Sequence, residues 1–200
     1  MDTVSLAAAG FENVVAPLGT SLTEAQGALL ARYTKRVLLL FDSDEAGLKA
    51  TFRGGDVLLS HGLQPAVVTL PRGEDPDTMV QKEGAQGLRH YLDQAVDVLD
   101  RKLQMLQEHD FFSSIEKTRR ALDKLLPTLR AAADPALRDM YVSRVAERTG
   151  VRRETLEVEL SRQEPRQAAM PSKAVASRGR HRGVPSPSSI PSMGAERAIL

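Results

Sequence analysis

The feature that most constrains the fold is the run RVLLLF at Arg36–Phe41. Its apolar residues are continuous rather than alternating, which is typical of a parallel strand that helices cover on both faces. Amphipathic helical patterns flank it, one from an N-cap at Thr23 to about Tyr33 and one over about Glu45–Ser60. Apolar runs at Asn13–Ala16 and Gln64–Leu70 predict neighbouring strands. With a helix at the start of the chain, residues 1–95 predict an α/β domain with a parallel sheet flanked by helices, from which the opening strand is missing.

After Asp77 the hydrophobic period is helical nearly throughout. Helices are predicted around Thr78–Lys82 and Ala85–Ala95, and an apolar stripe at three- and four-residue spacing begins at Val96. Three more helices follow, one with Ser113 and Glu116 spaced as a capping box, one from Asp134-Pro135 to Gly150, and one over about Glu154–Ser161. We therefore expect an all-α helical subdomain over residues 96–162.

The composition changes again at about Gln163. Residues 163–193 are rich in Pro, Ser and Arg, and no acid lies between Glu164 and Glu196. Such a stretch buries too little apolar surface to offset its ordering entropy, so it predicts a disordered linker. A weak phosphate-binding tail is the alternative, because its cations would neutralise phosphates without regard to sequence. GAERAIL, residues 194–200, has the pattern of the first turns of a further helix.

The overall composition excludes several classes. The chain has 200 residues, 27 Lys and Arg against 26 Asp and Glu, and no Cys. Without Cys there is no disulfide, no thiolate nucleophile and none of the usual structural zinc sites, which fits the cytoplasm. No apolar run approaches the ~20 residues that span a bilayer, so no membrane partner is expected.

Paired acids follow the strongest strand. FDSDEAG places Asp42 and Asp44 at its carboxyl end, where open α/β sheets hold their ligands. Residues two apart in extended chain point to the same side, so both carboxylates can face one cation, and hard oxygen ligands suit Mg²⁺ or Mn²⁺. The alternative is an ordinary helix cap, since Asp and Ser are common N-caps.

A second acidic pair follows the next strand. GEDPDT contains Asp75 and Asp77, and parallel strands deliver their loops to the same edge of a sheet. Clustered acids repel one another unless a cation or a proton lies between them, so these residues are candidate metal ligands beside the first pair. A turn with a helix cap is the competing interpretation.

Phosphate contacts have one further candidate segment. PLGTSLT offers backbone N–H groups between a strand and a helix, so Gly19 and Thr20 are candidates, together with Lys49 on the helix after FDSDEAG. An ordinary capped turn explains PLGTSLT equally well. The four histidines lack metal-ligand spacing.

LGTSLT, FDSDEAGLKA and LPRGEDPDTMVQKEG, in this order and at these separations, resemble the Toprim domain of the bacterial DNA primases. DMYVSRVAERTGVRRETLEVEL resembles the helical subdomain that closes the primase catalytic core, and GAERAIL resembles the opening of the helicase-binding domain. The resemblance covers about residues 1–161.

The resemblance implies metal-dependent synthesis of RNA primers on single-stranded DNA from nucleoside triphosphates. Asp42, Asp44, Asp75 and Asp77 inherit the metal-binding roles, Asp42 and Asp44 being catalytic, and Asp2 is a further metal-site acid with a catalytic role. A replicative helicase is the implied partner, through a C-terminal domain beyond residue 200. The family's Glu-Gly-Tyr-Met-Asp signature is represented only by Met1 and Asp2, so a fragment that lacks the catalytic glutamate, with little or no activity alone, is expected.

Three alternatives stay open. Topoisomerase or nuclease relatives share the acid pair, although not the LGTSLT spacing or the helical tail. The segment Ala146–Thr155 resembles a helix-turn-helix, which would make the chain a DNA-binding or interaction module. A phosphoacceptor receiver domain also has acids at strand ends, although it lacks a helical subdomain.

Overall fold

The computed structural model describes residues 2–17, 21–41, 45–71, 73–162 and 198–199. Its elements, in chain order, are α1 (Asp2–Ala8), α2 (Glu24–Leu30), β1 (Arg36–Leu39), α3 (Glu45–Ser60), β2 (Gln64–Val67), α4 (Pro76–Asp93), β3 (Val96–Asp97), α5 (Val98–Glu108), α6 (Ile115–Ala131), α7 (Pro135–Thr149), α8 (Arg153–Ser161) and β4 (Ala198–Ile199).

The sheet has the order β3-β2-β1-β4. Strands β1 and β2 are parallel with Leu39 opposite Val67, β4 is parallel to β1, and the short edge strand β3 is antiparallel to β2. The predicted α/β class with a parallel sheet flanked by helices is confirmed, because the central pair is parallel and helices lie on both of its faces.

Alternate residues of β1 supply two separate cores. Val37 and Leu39 belong to a cluster that includes residues of α3 and α5, whereas Leu38 and the following Leu40 pack with residues of α1 and α4. All four are at most 7% exposed, and burying a Leu or Val side chain fully contributes about 1.5–3 kcal/mol. Burial on both faces explains why this strand has no polar alternation in its sequence.

The helices α5–α8 share the first of these cores. Leu125, Val145 and Leu156 are fully buried in the same cluster as Val37 and Leu39. The backbone N–H of Ala133 also donates to the carbonyl of Leu59 at the end of α3, at 3.1 Å. The helical segment therefore packs directly on one face of the α/β unit.

Two predicted helices after Asp75 meet at a break. Helix α4 consists of two helical stretches that meet at Gly84, which has the non-helical dihedral angles φ 70° and ψ −176°. Such a positive φ favours glycine. The predicted separation of Thr78–Lys82 from Ala85–Ala95 is thus confirmed, with Gly84 as the kink.

Two predictions about strands are wrong. Asn13–Ala16 forms no strand, and only Val14 makes an isolated bridge. The run is short and ends at Pro17, which has no backbone N–H to offer a ladder. Val96, placed at the start of a helical stripe by the sequence, instead forms β3 with Asp97, whose side chain then caps α5.

Two predictions about element ends are also wrong. The cap of α6 is Ser114, which accepts from the backbone N–H of Lys117, and not Ser113 in a box with Glu116. Ser113 donates to the carbonyl of Asp110, and Glu116 pairs with Arg120 instead. In residues 194–200, the described pair Ala198–Ile199 is a strand beside β1 rather than the predicted helix.

The predicted linker, residues 163–193, lies outside the described residues. Within the part that the structure describes, no helix combines the length and apolar character needed to cross a bilayer.

Candidate functional site

The carboxyl ends of β1 and β2 lie side by side. The pairing of Leu39 with Val67 is continued by a hydrogen bond of 3.0 Å from the N–H of Val68 to the carbonyl of Leu39. Residues 42–44, which lie outside the described residues, come shortly after β1 in the sequence, and the GEDPDT segment follows β2 from the same edge. The backbone therefore starts both acidic segments where the sequence predicted them to meet.

Five candidate residues are not described by their side chains. Asp42, Asp44, Gly19 and Thr20 lie outside the described residues, and Asp2 is described only through the backbone of α1.

Asp75 is the N-cap of α4. Its Oδ1 accepts from the backbone N–H of Thr78 at 2.7 Å, and the Thr78 hydroxyl accepts from the backbone N–H of Asp75 at 3.0 Å, which completes a capping box. The Thr78 N–H lowers the pKa of Asp75, because it donates to the charged form. The helix-cap interpretation is confirmed for this residue, and the cap fixes the turn that carries the second acidic pair.

The other acids of the same turn differ in their partners. Asp77, in the first turn of α4, accepts from the side-chain amide of Gln81 at 2.8 Å. Glu74 pairs through Oε1 with Lys82, and this hydrogen bond lowers the pKa of Glu74. Its Oε2 is buried and has no hydrogen-bond partner among the described residues. Sequence reasoning missed Glu74, although its position as the first of the three acids in GEDPDT was the available signal.

The described residues alone do not complete a metal site. Among them, no group of three or more His, Asp or Glu side chains is arranged to hold an ion. That set does not contain Asp42 or Asp44. Glu74, Asp75 and Asp77 are the described acids of the turn that follows β2.

Lys49 lies on the second turn of α3 and its side chain is exposed. It lines a cavity of about 560 Å³ between α3, α5 and α6. Asp75 and Asp77 are not among the described residues that line this cavity.

The helix-turn-helix-like segment is held by its own contacts. Helix α7 ends at Gly150, which has φ 70°, and α8 begins at Arg153. Arg153 contacts Asp139 of α7 and donates to Glu157 at 2.9 Å. The guanidinium of Arg153 is thus engaged in ion pairs within the protein.

Residues 1–80 match the Toprim-like family model. With the parallel edge and its acidic turns, this match defines a Toprim-type α/β domain. The DNA primase of Clostridium acetobutylicum is 33% identical over 156 residues, which cover 78% of this chain and 26% of that protein. The DNA primase of Aquifex aeolicus is 38% identical over 108 residues, 54% of this chain and 22% of the relative. The chain belongs to the bacterial DNA primase family, and it spans about a quarter of the length of these curated relatives.

Solved primase structures share the fold beyond the Toprim region. A DNA primase domain from Pseudomonas aeruginosa superposes with a TM-score of 0.72 at 30% identity, covering 80% of this chain and 51% of that one. A DnaG primase catalytic domain bound to single-stranded DNA gives 0.67 at 31% identity, covering 77% and 50%.

A second family model matches residues 103–154 and describes the DnaB-helicase binding domain of primase. This match falls on α5–α8, the segment that the sequence assigned to the helical subdomain of the catalytic core. It does not fall on residues 194–200, where the sequence placed the start of the helicase-binding domain.

Proposed function

We propose that this chain supplies the metal-binding half of a DNA primase active site, for the synthesis of short RNA primers on single-stranded DNA. The observation that carries this proposal is the register of β1 and β2, which starts two acidic segments at one edge of the sheet in a chain related to primases. We take residues 1–95 as the Toprim domain and 96–162 as the helical subdomain packed on it, and place the activity in the cytoplasm.

The donor set suits a divalent cation such as Mg²⁺ or Mn²⁺. Asp42, Asp44, Asp75 and Asp77 offer hard carboxylate oxygens, which these ions prefer. The buried and unpartnered Oε2 of Glu74 lies in the same turn and supports the fit. When bound, such a cation would align triphosphate oxygens and neutralise the charge that develops during nucleotidyl transfer.

The protein's own groups have separate roles in this scheme. Asp75 holds the second turn in place by capping α4, so that one residue both shapes the turn and adds charge to it. Gly19, Thr20 and Lys49 would contact phosphate groups, and Asp2 would add a further acid beside the metal. Single-stranded DNA, nucleoside triphosphates and the RNA primer are the proposed ligands.

Metal-dependent nucleotide binding tests this function. A fluorescent ATP analogue is titrated with the chain in Mn²⁺ and in EDTA, beside the double variant Asp42→Asn, Asp44→Asn. The matched control is Asp93→Asn, Asp123→Asn, which removes the same charge from exposed positions elsewhere. Binding that requires Mn²⁺ and fails only in the Asp42/Asp44 variant supports the proposal, whereas equal binding in EDTA refutes it. Metal-dependent nicking of supercoiled DNA by the chain would favour the phosphodiester-cleaving alternative instead.

We also propose that α5–α8 contact the replicative helicase, which the match over residues 103–154 supports. Ile115 at the start of α6 is 92% exposed and Met140 on α7 is 60% exposed. Exposed apolar residues mark an interaction surface when they form a contiguous patch, so Ile115 and Met140 are the positions at which this contact is tested. Ile115→Asp should weaken co-sedimentation with the helicase, while Val4→Asp, on the 72% exposed Val4 of α1, should not. Equal binding by both variants would contradict this assignment.

A further inference from the structure

The cavity between α3, α5 and α6 has an apolar floor. Its volume of about 560 Å³ falls within the range of small-ligand and peptide-anchor pockets. Leu48 and Phe52 of α3 face Met105 and Leu106 of α5, and Phe111 closes one end. Such a floor binds a ligand by removing apolar surface from water.

Three lysines surround this floor. Lys49, Lys102 and Lys124 all line the cavity, and none of the described residues that line it is Asp or Glu. The Nζ of Lys102 lies 5.3 Å from the centre of the Phe52 ring, and the Nζ of Lys124 lies 5.8 Å from that of Phe111. Each ammonium is thereby placed over an aromatic face at the wall.

Hydrogen bonds through Thr128 to Asp56 hold Lys102 in place. Its Nζ donates to the hydroxyl of Thr128 at 2.8 Å, and that hydroxyl donates to Oδ1 of Asp56 at 2.7 Å. Burial lowers the pKa of Lys102, the charge of Asp56 behind it opposes that shift, and the charge of Lys124 lowers the pKa again. Two ammonium groups that repel each other across a cavity would both be stabilised by an anion between them.

The polar groups that line the cavity favour some classes of ligand over others. A nucleobase carries donors and acceptors on its edge and needs both kinds of partner, but among the described lining residues the polar side chains are three lysines and His109. The Nδ1 of His109 donates to the carbonyl of Met105 at 2.8 Å, so only its other nitrogen faces a ligand. The lining therefore favours a ligand whose buried part is apolar and whose polar part is an anionic acceptor, such as a carboxylate.

We propose that this cavity, which we call the lysine groove (Leu48, Lys49, Phe52, Lys102, Lys124 and their neighbours), is a docking site for a short acidic peptide segment of a partner protein, with Leu or Phe side chains as anchors. Charge complementarity carries the choice of occupant. The chain's own residues 163–197 are unsuited to it, because they are basic and contain only two acids, Glu164 and Glu196. The proposal does not depend on primer synthesis.

The test is a fluorescence anisotropy titration of the whole chain with a labelled peptide Asp-Asp-Leu-Asp-Asp-Phe-Leu at low salt. Lys124→Glu should weaken binding about tenfold, because it replaces an attraction by a repulsion at the rim of the groove. Lys35→Glu is the matched control, since Lys35 is exposed, lies outside the groove and gives the same change in net charge. Lys124→Met, which keeps the side-chain stem, should weaken binding less than Lys124→Glu, and thermal melting checks that each variant is folded.

Two companion peptides complete the design. A peptide with Asn in place of Asp and a peptide with Ser in place of Leu and Phe should each lose binding, because the groove requires both charge and apolar anchors. Equal weakening by Lys35→Glu and Lys124→Glu, undiminished binding of the Ser peptide, absence of binding to the acidic peptide, or its displacement by metal-free ATP would each overturn the proposal.

Discussion

Tyr141→Phe should destabilise the fold through one hydrogen bond between the helical segment and the sheet. Tyr141 on α7 is 5% exposed, and its hydroxyl donates to Oδ2 of Asp97 at 2.7 Å. The other carboxylate oxygen of Asp97 accepts from the backbone N–H groups of Leu99 and Asp100 at 2.8 and 3.4 Å. The variant keeps the ring and its packing, and removes only the donor to Oδ2.

The size of the loss follows from the burial of the acceptor. Leaving a buried acceptor unsatisfied costs about 1–3 kcal/mol, and bonds to charged groups lie in the upper part of that range. We expect Tyr141→Phe to lower the free energy of unfolding by about 2 kcal/mol at pH 7. Tyr33→Phe is the matched control, because Tyr33 is 65% exposed and the same hydroxyl is removed into solvent.

The loss should depend on pH. Burial raises the pKa of Asp97 above its ordinary value, and the Tyr141 hydroxyl opposes that rise. A carboxyl with a raised folded-state pKa adds stability below its unfolded pKa and loses that contribution as the pH rises through the folded value. The variant should raise the pKa of Asp97 further, so its deficit should be largest at neutral pH and shrink once Asp97 is protonated.

Urea unfolding of the three proteins, followed by circular dichroism at pH 7 and pH 4.5, measures both effects. A deficit below about 0.5 kcal/mol at pH 7 would refute the reasoning, since a buried charged acceptor costs more than that. A deficit that is equal at both pH values would show that Asp97 keeps the same protonation state at pH 4.5 and pH 7, which would contradict the expected pH dependence.

Four further substitutions test the packing, a helix cap and a buried hydrogen bond by urea unfolding. Gly55→Ala should lower the free energy of unfolding by about 1–3 kcal/mol, because its Cβ would lie 2.6 Å from a methyl of Val98. Gly54→Ala, whose Cβ would lie 3.7 Å from its nearest neighbour, should be neutral or stabilise α3 by up to ~1 kcal/mol. A larger loss for Gly54→Ala than for Gly55→Ala would contradict the packing. Asp134→Ala should cost about 1 kcal/mol, since its side chain accepts from two backbone N–H groups at the start of α7, and no loss would show that solvent replaces the cap. Thr128→Val should cost about 1–3 kcal/mol by separating a buried lysine from its aspartate partner, and an unchanged midpoint would rule out that relay.

The parts of the fold with strong local signals were predictable. The continuous apolar run of β1 indicated burial on both faces, and Val37, Leu38, Leu39 and Leu40 all prove buried. The Thr23 cap of α2 is confirmed with a capping box to Gln26. These features depend on residues that are close in the sequence, so the local sequence alone is enough to predict them.

The rest depends on contacts between distant residues. Val96 and Asp97 form a strand only because β2 lies beside them, and the short apolar pattern there fits a helix equally well. Ser113 and Ser114 are both competent caps, and the contacts of Ser113 with Asp110 decide between them. At the candidate site, the sequence predicted the shared edge, but not the unpartnered carboxylate oxygen of Glu74, because burial of one atom leaves no mark in the sequence.

Calorimetric titration of the chain with Mn²⁺ tests the central claim most directly. The Asp42→Asn, Asp44→Asn variant is measured beside the Asp93→Asn, Asp123→Asn control. The account predicts saturable binding to the unmodified chain and to the control, and affinity weakened at least about tenfold in the Asp42/Asp44 variant, because two carboxylate ligands are lost. Equal binding by all three proteins, or binding by none, would contradict a metal site at the carboxyl edge of β1 and β2.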